Sequence, residues 1–387
     1  MNANEGTGPL AGVKVLELAG IGPSPFCCML LADMGAQVLR VDRTAPADVG
    51  LPGDPALDLL NRGRRSIAVD LKQEEGRAIV KDLAAQADVL VEGFRPGVTE
   101  RLGLGPADLQ AINPRLVYGR MTGWGQDGPL AQAAGHDINY IAITGALDAI
   151  GPRGGAPVPP LNLVGDFGGG ALYLAFGIVC ALLEARQSGR GQVVDGAIVD
   201  GTAHLMTAIF GRLAAGTWSL ERGESLLSGG RPWYGVYETR DGRYISVGAI
   251  EKRFYADLLA RTGLAQDPDI LDRADPAGWP LLKEKLRAVF LTRTRDEWVA
   301  AMDGSDACFA PVLDAQEAKA HPHMKARAIH VQAHGVVQPA PAPRLSRTPG
   351  VLHRPPPLPG QHTREVLREQ GYEAARIEAW LGRGVVK

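Results

Sequence analysis

The first 121 residues alternate short apolar runs with segments of helical spacing, and this alternation constrains the fold more than any other feature of the chain. VKVLELA (13–19), AQVLRVDR (36–43), RSIAVDL (65–71), DVLVE (88–92) and RLVYGRM (115–121) read as strands. Between them, PFCCMLLADMG (25–35) reads as a helix ending at Gly35, and KQEEGRAIVKDLAAQA (72–87) repeats Ile79, Val80, Leu83, Ala84 and Ala87 at helical spacing. Strands of this kind separated by helices predict an α/β fold, a parallel doubly wound sheet covered on both faces. From about residue 226 the pattern changes. WYGVYETRDGRYISVGAI (233–250) predicts two antiparallel strands joined at Asp241-Gly242, Thr294 to Glu297 forms a capping box before a helix, and CFAPVL (308–313) reads as a further strand. A smaller α+β domain is expected there. QPAPAPRLSRTPG (338–350) and RPPPLPG (354–360) exclude regular structure and predict an extended strap before a last helix. Residues 1–200 are thus expected to form the large domain, completed by 340–387. Residues 201–225 read as a helical linker and 226–335 as the small domain, with 336–387 the strap and C-terminal helix returning to the large domain.

Composition excludes several classes of function. With 41 Lys and Arg against 43 Asp and Glu the formal charge is only −2, which gives no bulk attraction to nucleic acid or an anionic membrane. The most apolar run, ALYLAFGIVCALL (171–183), is shorter than the ~20 residues of a membrane span and predicts a buried core helix rather than insertion. Cys27, Cys28, Cys180 and Cys308 make no CxxC and read as buried thiols of a reducing compartment. MNANEGTGPLAGVK has neither a basic start nor an apolar core, so a cytoplasmic location is expected. His321-Pro-His323 lacks an acidic or Cys partner at metal-binding spacing, and GxSxG, HExxH and Walker motifs are absent. No metal site is expected. Gly20-Ile-Gly22-Pro-Ser-Pro25, with Asp42 at the end of the next strand, imitates a dinucleotide fingerprint, but the prolines remove amides that should face a pyrophosphate. A tight strand-to-helix turn explains the same residues.

Three residues could carry chemistry. His136, in AGHDINY, is a base if its imidazole is neutral and free, and otherwise one more hydrogen-bonded polar group. Asp166 precedes Gly168, Gly169, Gly170 and a long apolar helix. Such an aspartate is a favoured N-cap, yet the glycines would also admit a ligand to a helix start that favours negative charge. Glu251 stands between a strand and a helix, where it could balance the helix dipole or accept from one imidazole nitrogen and leave the other as the base. Arg43, Arg62, Arg64, Arg65, Lys72, Arg95 and Arg101 fall near strand ends or in loops. Arginine gathered at the carboxyl edge of a parallel sheet points to a phosphorylated ligand, although each alone is ordinary surface charge.

LAGIGPSPFCCMLLADMGAQVLRVDR, NRGRRSIAVDLK, EGFRPGVTERLGLGP, RMTGWGQDGP, AGHDINY, PPLNLVGDFGGG, GQVVDGAIVDGTA, AIEKRFY, DACFAPVL and PAPRLSRTP together resemble the α-methylacyl-CoA racemases of the family III CoA-transferase superfamily. The resemblance runs from about residue 9 to about 350. It implies a large doubly wound domain and a small domain in an interlocked homodimer, with the active site between subunits. It implies no metal or organic cofactor, CoA being part of an acyl-CoA substrate, and a place in lipid and fatty-acid metabolism. His136 and Asp166 match the two bases on opposite faces of the substrate's α-carbon, and Glu251 the carboxylate that holds the histidine. Arg43, Val69, Asp70, Leu71, Lys72, Arg95, Arg101, Gly135, Asp137, Ile138, Asn139 and Tyr140 match positions that hold CoA.

The implied reaction interconverts R and S 2-methylacyl-CoA thioesters through an enolate, its oxygen expected to meet amides of Asp166 to Gly168. Superfamily members that transfer CoA keep an aspartate near position 166 as nucleophile but generally lack the histidine of AGHDINY. A CoA-transferase is therefore the alternative enzyme, and a non-catalytic acyl-CoA binding protein the alternative of another class. The chain departs from the racemases at Ser228-Gly-Gly-Arg231-Pro232-Trp233, where they have Asp-Gly-Gly-Ala-Pro, and at Ser24, where they have glycine.

Overall fold

The computed structural model describes residues 7–45, 53–270 and 272–387; the opening residues 1–6, part of the segment read for a leader, lie outside these. The chain divides into two compact units. The first takes the described residues up to Thr144, together with Pro160–Met206 and Ala328–Lys387. The second takes Gly145–Pro159 and Thr207–Arg327.

The first unit begins with β1 (Lys14–Leu18), α1 (Pro23–Asp33), β2 (Gln37–Asp42), β3 (Arg64–Ala68), α2 (Glu74–Ala84), β4 (Val89–Glu92), α3 (Val98–Arg101), α4 (Pro106–Ile112), β5 (Val117–Thr122) and α5 (Asp137–Ile143). It continues through α6 (Leu172–Ser188), β6 (Val193–Ala197) and α7 (Ile198–Leu205). The six strands form one parallel sheet in the order β3-β2-β1-β4-β5-β6, so the direction of winding reverses between β1 and β4. Successive side chains leave a strand on opposite faces, which separates two cores. Leu16, Leu18, Leu90 and Tyr118 face a layer containing Ile79 and Leu83 of α2, whereas Val15, Val89, Val91 and Val117 face one containing Cys27 and Leu31 of α1 and Leu174 and Ile178 of α6. Proline at the start of α1 fits a helix start because the first amides have no intrahelical acceptor.

The second unit contains α8 (Thr207–Ala214), β7 (Tyr234–Glu238), β8 (Tyr244–Gly248), α9 (Lys252–Thr262), α10 (Trp279–Phe290), α11 (Arg295–Met302), β9 (Phe309–Pro311), α12 (Ala315–Ala320) and α13 (Pro322–Ala326). Strands β7-β8-β9 are antiparallel, with Gly242 at φ +70 in the Asp-Gly turn. The capping box forms: Glu297 N–H donates to Thr294 Oγ1 at 3.2 Å and Thr294 N–H to Glu297 Oε2 at 2.7 Å, and Trp298 behind it is buried. The chain then returns to the first unit with the hairpin β10 (His330–Ala333) and β11 (Val336–Pro339), the strap, and α14 (Thr363–Glu369) and α15 (Ala374–Gly382).

Several expectations change. Residues 207–225, read as linker, group with the second unit, which also takes 145–159, while the hairpin from 330 groups with the first. β6 and the β10–β11 hairpin were not legible as strands, and the single last helix is two. Cys27 and Cys28 are buried, but Cys180 and Cys308 are exposed. Cys180 lies on the outward side of α6, since only Leu174, Ile178, Ala181 and Ala185 of that helix are buried. The apolar run is therefore not a fully buried core helix: continuous helix spans Leu163–Ser188, long and apolar enough by composition to cross a membrane, and 33% of its most apolar window is buried.

Candidate active site

The carboxyl ends of the parallel strands all open on one edge, and the turns there collect most of the residues the sequence singled out. Exposed Arg43 follows β2, Val69 to Lys72 follow β3, exposed Arg95 and Arg101 follow β4, and His136 lies beyond β5. Val69 is buried and pairs with Val386, and Asp70 N–H donates to Val385 O at 2.9 Å, so only part of that stretch faces outward.

Arg62, Arg64 and Arg65 do not join this edge, because they enter β3 at its amino end. Arg62 pairs with buried Asp33 at 2.5 Å, Arg64 with buried Glu17 at 3.1 Å, and Arg65 with Glu365 and Glu369 at 3.1 and 2.8 Å. Glu17 also takes Arg40 at 2.8 Å, whose Nη2 donates to Gly20 O at 3.3 Å beneath the β1–α1 turn. The loop after β4 is pinned in a similar way. Glu92 Oε2 accepts from Phe94 N–H at 2.7 Å, while Arg120 joins Glu92 at 2.9 Å to Glu100 of α3 at 2.7 Å. Arg95 and Arg101 therefore project from a braced segment.

A cleft of ≈ 440 Å³ lies between the β4 and β5 loops and is lined by Gly93, Arg95, Trp124, Gly135, His136 and Tyr140 among others. Tyr140 donates its hydroxyl to Gly135 O and meets Trp124 edge to face at 4.7 Å. Gly123 is needed there, since a Cβ would stand 2.0 Å from the Tyr140 ring. His136 is the exposed N-cap of α5 in extended conformation, its N–H donating to Asn139 Oδ1 at 3.1 Å. Ile138 and Asn139 are exposed on the same short helix.

Asp166 is not the N-cap of a helix. It lies inside a π-helical segment, Leu163–Ala171, that runs straight into α6. The glycines here admit protein atoms: a Cβ on Gly169 would stand 2.4 Å from Thr202 Oγ1, one on Gly170 2.9 Å from Ile198 Cγ1, and one on Gly201 of α7 1.8 Å from Gly169 O. Phe167 stacks on Phe26 of α1 at 4.3 Å. The amide of Asp166 donates to Asp137 Oδ1 at 2.6 Å and that of Phe167 to Asn162 O at 3.2 Å. These two amides are engaged, so they are not the oxyanion donors expected of 166 to 168.

The Asp166 carboxyl is half-buried, with Asn162 Nδ2 3.5 Å from its Oδ2. Burial first and the charge of Asp137 second push its pKa from 3.8 up to about 6, against the lowering effects of Asn162 and His136. Burial also raises Asp137, against the hydrogen bonds it receives from the amides of Asp166 and Gly165. Burial and then Asp166 raise the Tyr140 phenol, and Arg95 opposes them. His136, Asp137, Asp166, Tyr140 and Arg95 thus form one electrostatically coupled group. Sequence reasoning missed Asp137 as the anion that tunes Asp166; its only signal was adjacency to His136.

Glu251 belongs to the second unit, as the exposed N-cap of α9, and Tyr255 N–H donates to its carbonyl at 3.0 Å. The dinucleotide imitation fails structurally as well. Asp42 accepts from Arg40 Nε at 3.0 Å and Ser66 Oγ at 2.6 Å, and a Cβ on Gly22, at φ +65, would lie 3.2 Å from Asp166 Oδ2. Among the described residues no cluster of His, Cys, Asp and Glu could hold a metal ion.

The family model described as CoA-transferase family III matches residues 10–363. An α-methylacyl-CoA racemase of Mus musculus is 46% identical over 370 residues, 95% of each chain, and one of Homo sapiens is 43% identical over 371 residues, again 95% of each. A human succinyl-CoA:glutarate CoA-transferase is 31% identical over 98% of this chain and 90% of its own. The crystal structure of a CAIB/BAIF family protein from Brucella suis superposes with a TM-score of 0.81 at 27% identity, covering 94% of this chain and 100% of that one. The chain belongs to CoA-transferase family III.

Proposed function

We propose that the chain is an α-methylacyl-CoA racemase that interconverts R and S 2-methylacyl-CoA thioesters by two-base proton transfer. The observation that carries this reading is an Asp166 carboxyl raised to about 6 and electrostatically coupled to His136, which lines a cleft together with Arg95. In one direction neutral His136 removes the α-proton and protonated Asp166 returns one to the other face; in the reverse direction the carboxylate removes it and imidazolium returns it. An ordinary aspartate would seldom hold the proton this cycle needs. The likeness to two racemases over 95% of the chain supports the same reading.

In this reading the CoA part of the substrate lies along the carboxyl edge of the sheet, on Arg43, Val69 to Lys72, Arg95, Arg101 and the segment Gly135 to Tyr140. The reaction needs neither metal nor organic cofactor, since every step is a proton transfer. The working form is a homodimer in the cytoplasm. Leu172, Phe176, Val179 and Leu183 lie exposed in one stripe along α6, an apolar face that a second copy of the chain would cover.

The test is deuterium wash-in to a 2-methylacyl-CoA in heavy water with no second acid present. Exchange at the α-carbon with loss of stereochemistry is expected. Movement of CoA only on addition of an acceptor carboxylate, with no exchange, would establish the transferase instead, with Asp166 as nucleophile.

A further inference from the structure

The second unit contains a recess of ≈ 220 Å³ whose walls come from that unit alone and include Arg231, Arg273, Trp218, Leu226, Trp233 and Ile250. Its two half-buried cations are held by rings and carbonyls. The Arg231 guanidinium carbon lies 3.8 Å from the Trp279 ring centre, and that of Arg273 lies 4.8 Å from Trp233 and 5.2 Å from Tyr255. Trp233 and Trp279 meet edge to face at 5.8 Å, so both guanidiniums rest on one aromatic cluster. Arg231 Nη1 donates to Glu224 O at 2.9 Å and Gly230 O at 3.3 Å, and Arg273 Nη2 to Ile250 O at 2.6 Å. Arg273 Nη1 is buried and, among the described residues, has no hydrogen-bond partner.

The nearby acids are engaged elsewhere. Glu224, whose charge bears on Arg231, pairs with Arg153 at 2.8 Å and accepts from Ser219 Oγ at 3.2 Å. Asp272, next to Arg273 in the chain, is exposed and accepts from Ala274 N–H at 2.9 Å. Among the described residues neither Arg231 nor Arg273 has a carboxylate in ion-pair contact. Burial lowers the pKa of Arg231 and Glu224 only partly opposes it, so the charge is incompletely balanced. Cations withdrawn from water without a counter-charge are unfavourable, and a bound anion relieves that. Guanidinium presents a planar fork that matches carboxylate, while Trp218, Leu226, Trp233 and Ile250 offer an apolar wall. The volume is below the roughly 300–1,000 Å³ of pockets that enclose a drug-sized molecule, so the ligand that fits is a small one.

We propose that the recess is a binding site for a small free carboxylic acid, one carboxylate between Arg231 and Arg273 on an apolar body about the size of a single ring. Every residue in it belongs to the second unit, so it stands or falls independently of the racemase reading. The test is a ligand-observed NMR titration of the full chain with benzoate and with benzamide, its uncharged isostere. Benzoate is expected to bind with a dissociation constant on the order of 1 mM or tighter. Benzamide should bind about 10- to 100-fold more weakly, the factor of a hydrogen bond to a charged group. Arg231→Ala and Arg273→Ala should each bring the ratio of the two affinities towards one, and Arg231→Lys should retain part of it. Because each ratio is taken on one preparation, a partly unfolded variant does not change it. Equal affinity for the two compounds, no saturation by ~10 mM benzoate, or a ratio indifferent to both alanine substitutions overturns the proposal. Cyclohexanecarboxylate should displace benzoate at lower concentration than inorganic phosphate does. Equal or reversed potency makes the recess a general anion or phosphate site and overturns the carboxylic acid as its ligand.

Discussion

Replacing Asp137 by asparagine tests the electrostatic core of the site with little steric change. Asparagine keeps an oxygen to accept the Asp166 amide, now at 2.6 Å, but removes the negative charge that helps hold the neighbouring carboxyl at about 6. At pH 7 a carboxyl at about 6 is protonated in about one molecule in eleven, whereas at its ordinary 3.8 the fraction is about one in 1,600. Burial is the larger cause and survives the substitution, so the pKa should fall by about one unit, which at about 1.4 kcal/mol per unit lowers the neutral fraction at pH 7 on the order of tenfold. The equilibrium constant between epimers is fixed, so kcat/KM must fall by the same factor in both directions, even though Asp166 is the acid in only one. The assay is α-proton exchange from each epimer between pH 5 and pH 8. The alkaline limb should move towards acid by about one unit while the acyl-CoA dissociation constant changes little. A profile that stays where it was would refute the account of Asp166, and unequal changes in the two directions would show that the measured step is not racemisation.

Asp166→Asn should abolish turnover yet stabilise the fold. A carboxyl with a raised folded pKa weakens stability as pH rises from 3.8 to about 6, so the gain should be complete at pH 7 and absent below pH 3.8; at most about 3 kcal/mol, it is discounted to about 1–2 kcal/mol for the half-buried site and read by thermal unfolding at both pH values. His136→Ala should reduce turnover by about 10²–10⁴ with acyl-CoA binding largely retained, as calorimetry would show. Arg101→Ala should raise KM with a smaller change in kcat if, as proposed, its charge acts on CoA equally in ground and transition states. Gly201→Ala should destabilise by about 1–3 kcal/mol or more, since its Cβ would lie 1.8 Å from a backbone oxygen that no rotamer change can move.

Legibility followed how local each cause was. β1 to β5 could be read because a strand covered on both faces is apolar along its length, and the Thr294 box because all its partners lie within one turn. β6 could not be read: VVDGA has exposed Val193 and a glycine, and it is a strand because β5 offers it a ladder. The arginines illustrate the same limit. Arg64 and Arg95 look alike in sequence, but one enters β3 at its amino end and neutralises Glu17 while the other leaves β4 at its carboxyl end. Helical periodicity likewise distinguishes the inner side of α6 from the outer one, but not whether the outer side with Cys180 has a cover.

The glycines are the most instructive failure, because they explain how a nucleotide-type sheet can present a proton-transfer site. In the order β3-β2-β1-β4-β5-β6 the crevice beside β1 is where a pyrophosphate would rest on the first turn. Here Gly22 faces Asp166 Oδ2, Gly165 makes room for Asp137 Oδ1, and Gly169 and Gly201 bring the π-helical segment against α7. The space that glycine opens for a ligand in one protein is filled by a carboxylate of the chain itself in this one. A phosphate at that turn would meet Asp166 at close range and be repelled, and on the proposed reading the phosphates of CoA bind instead on the ends of β2, β3 and β4, where Arg43, Lys72, Arg95 and Arg101 stand. The displacement that keeps phosphate off β1 is therefore the same one that leaves Asp166 half-buried beside Asp137, and with it a proton affinity suited to exchange near neutral pH.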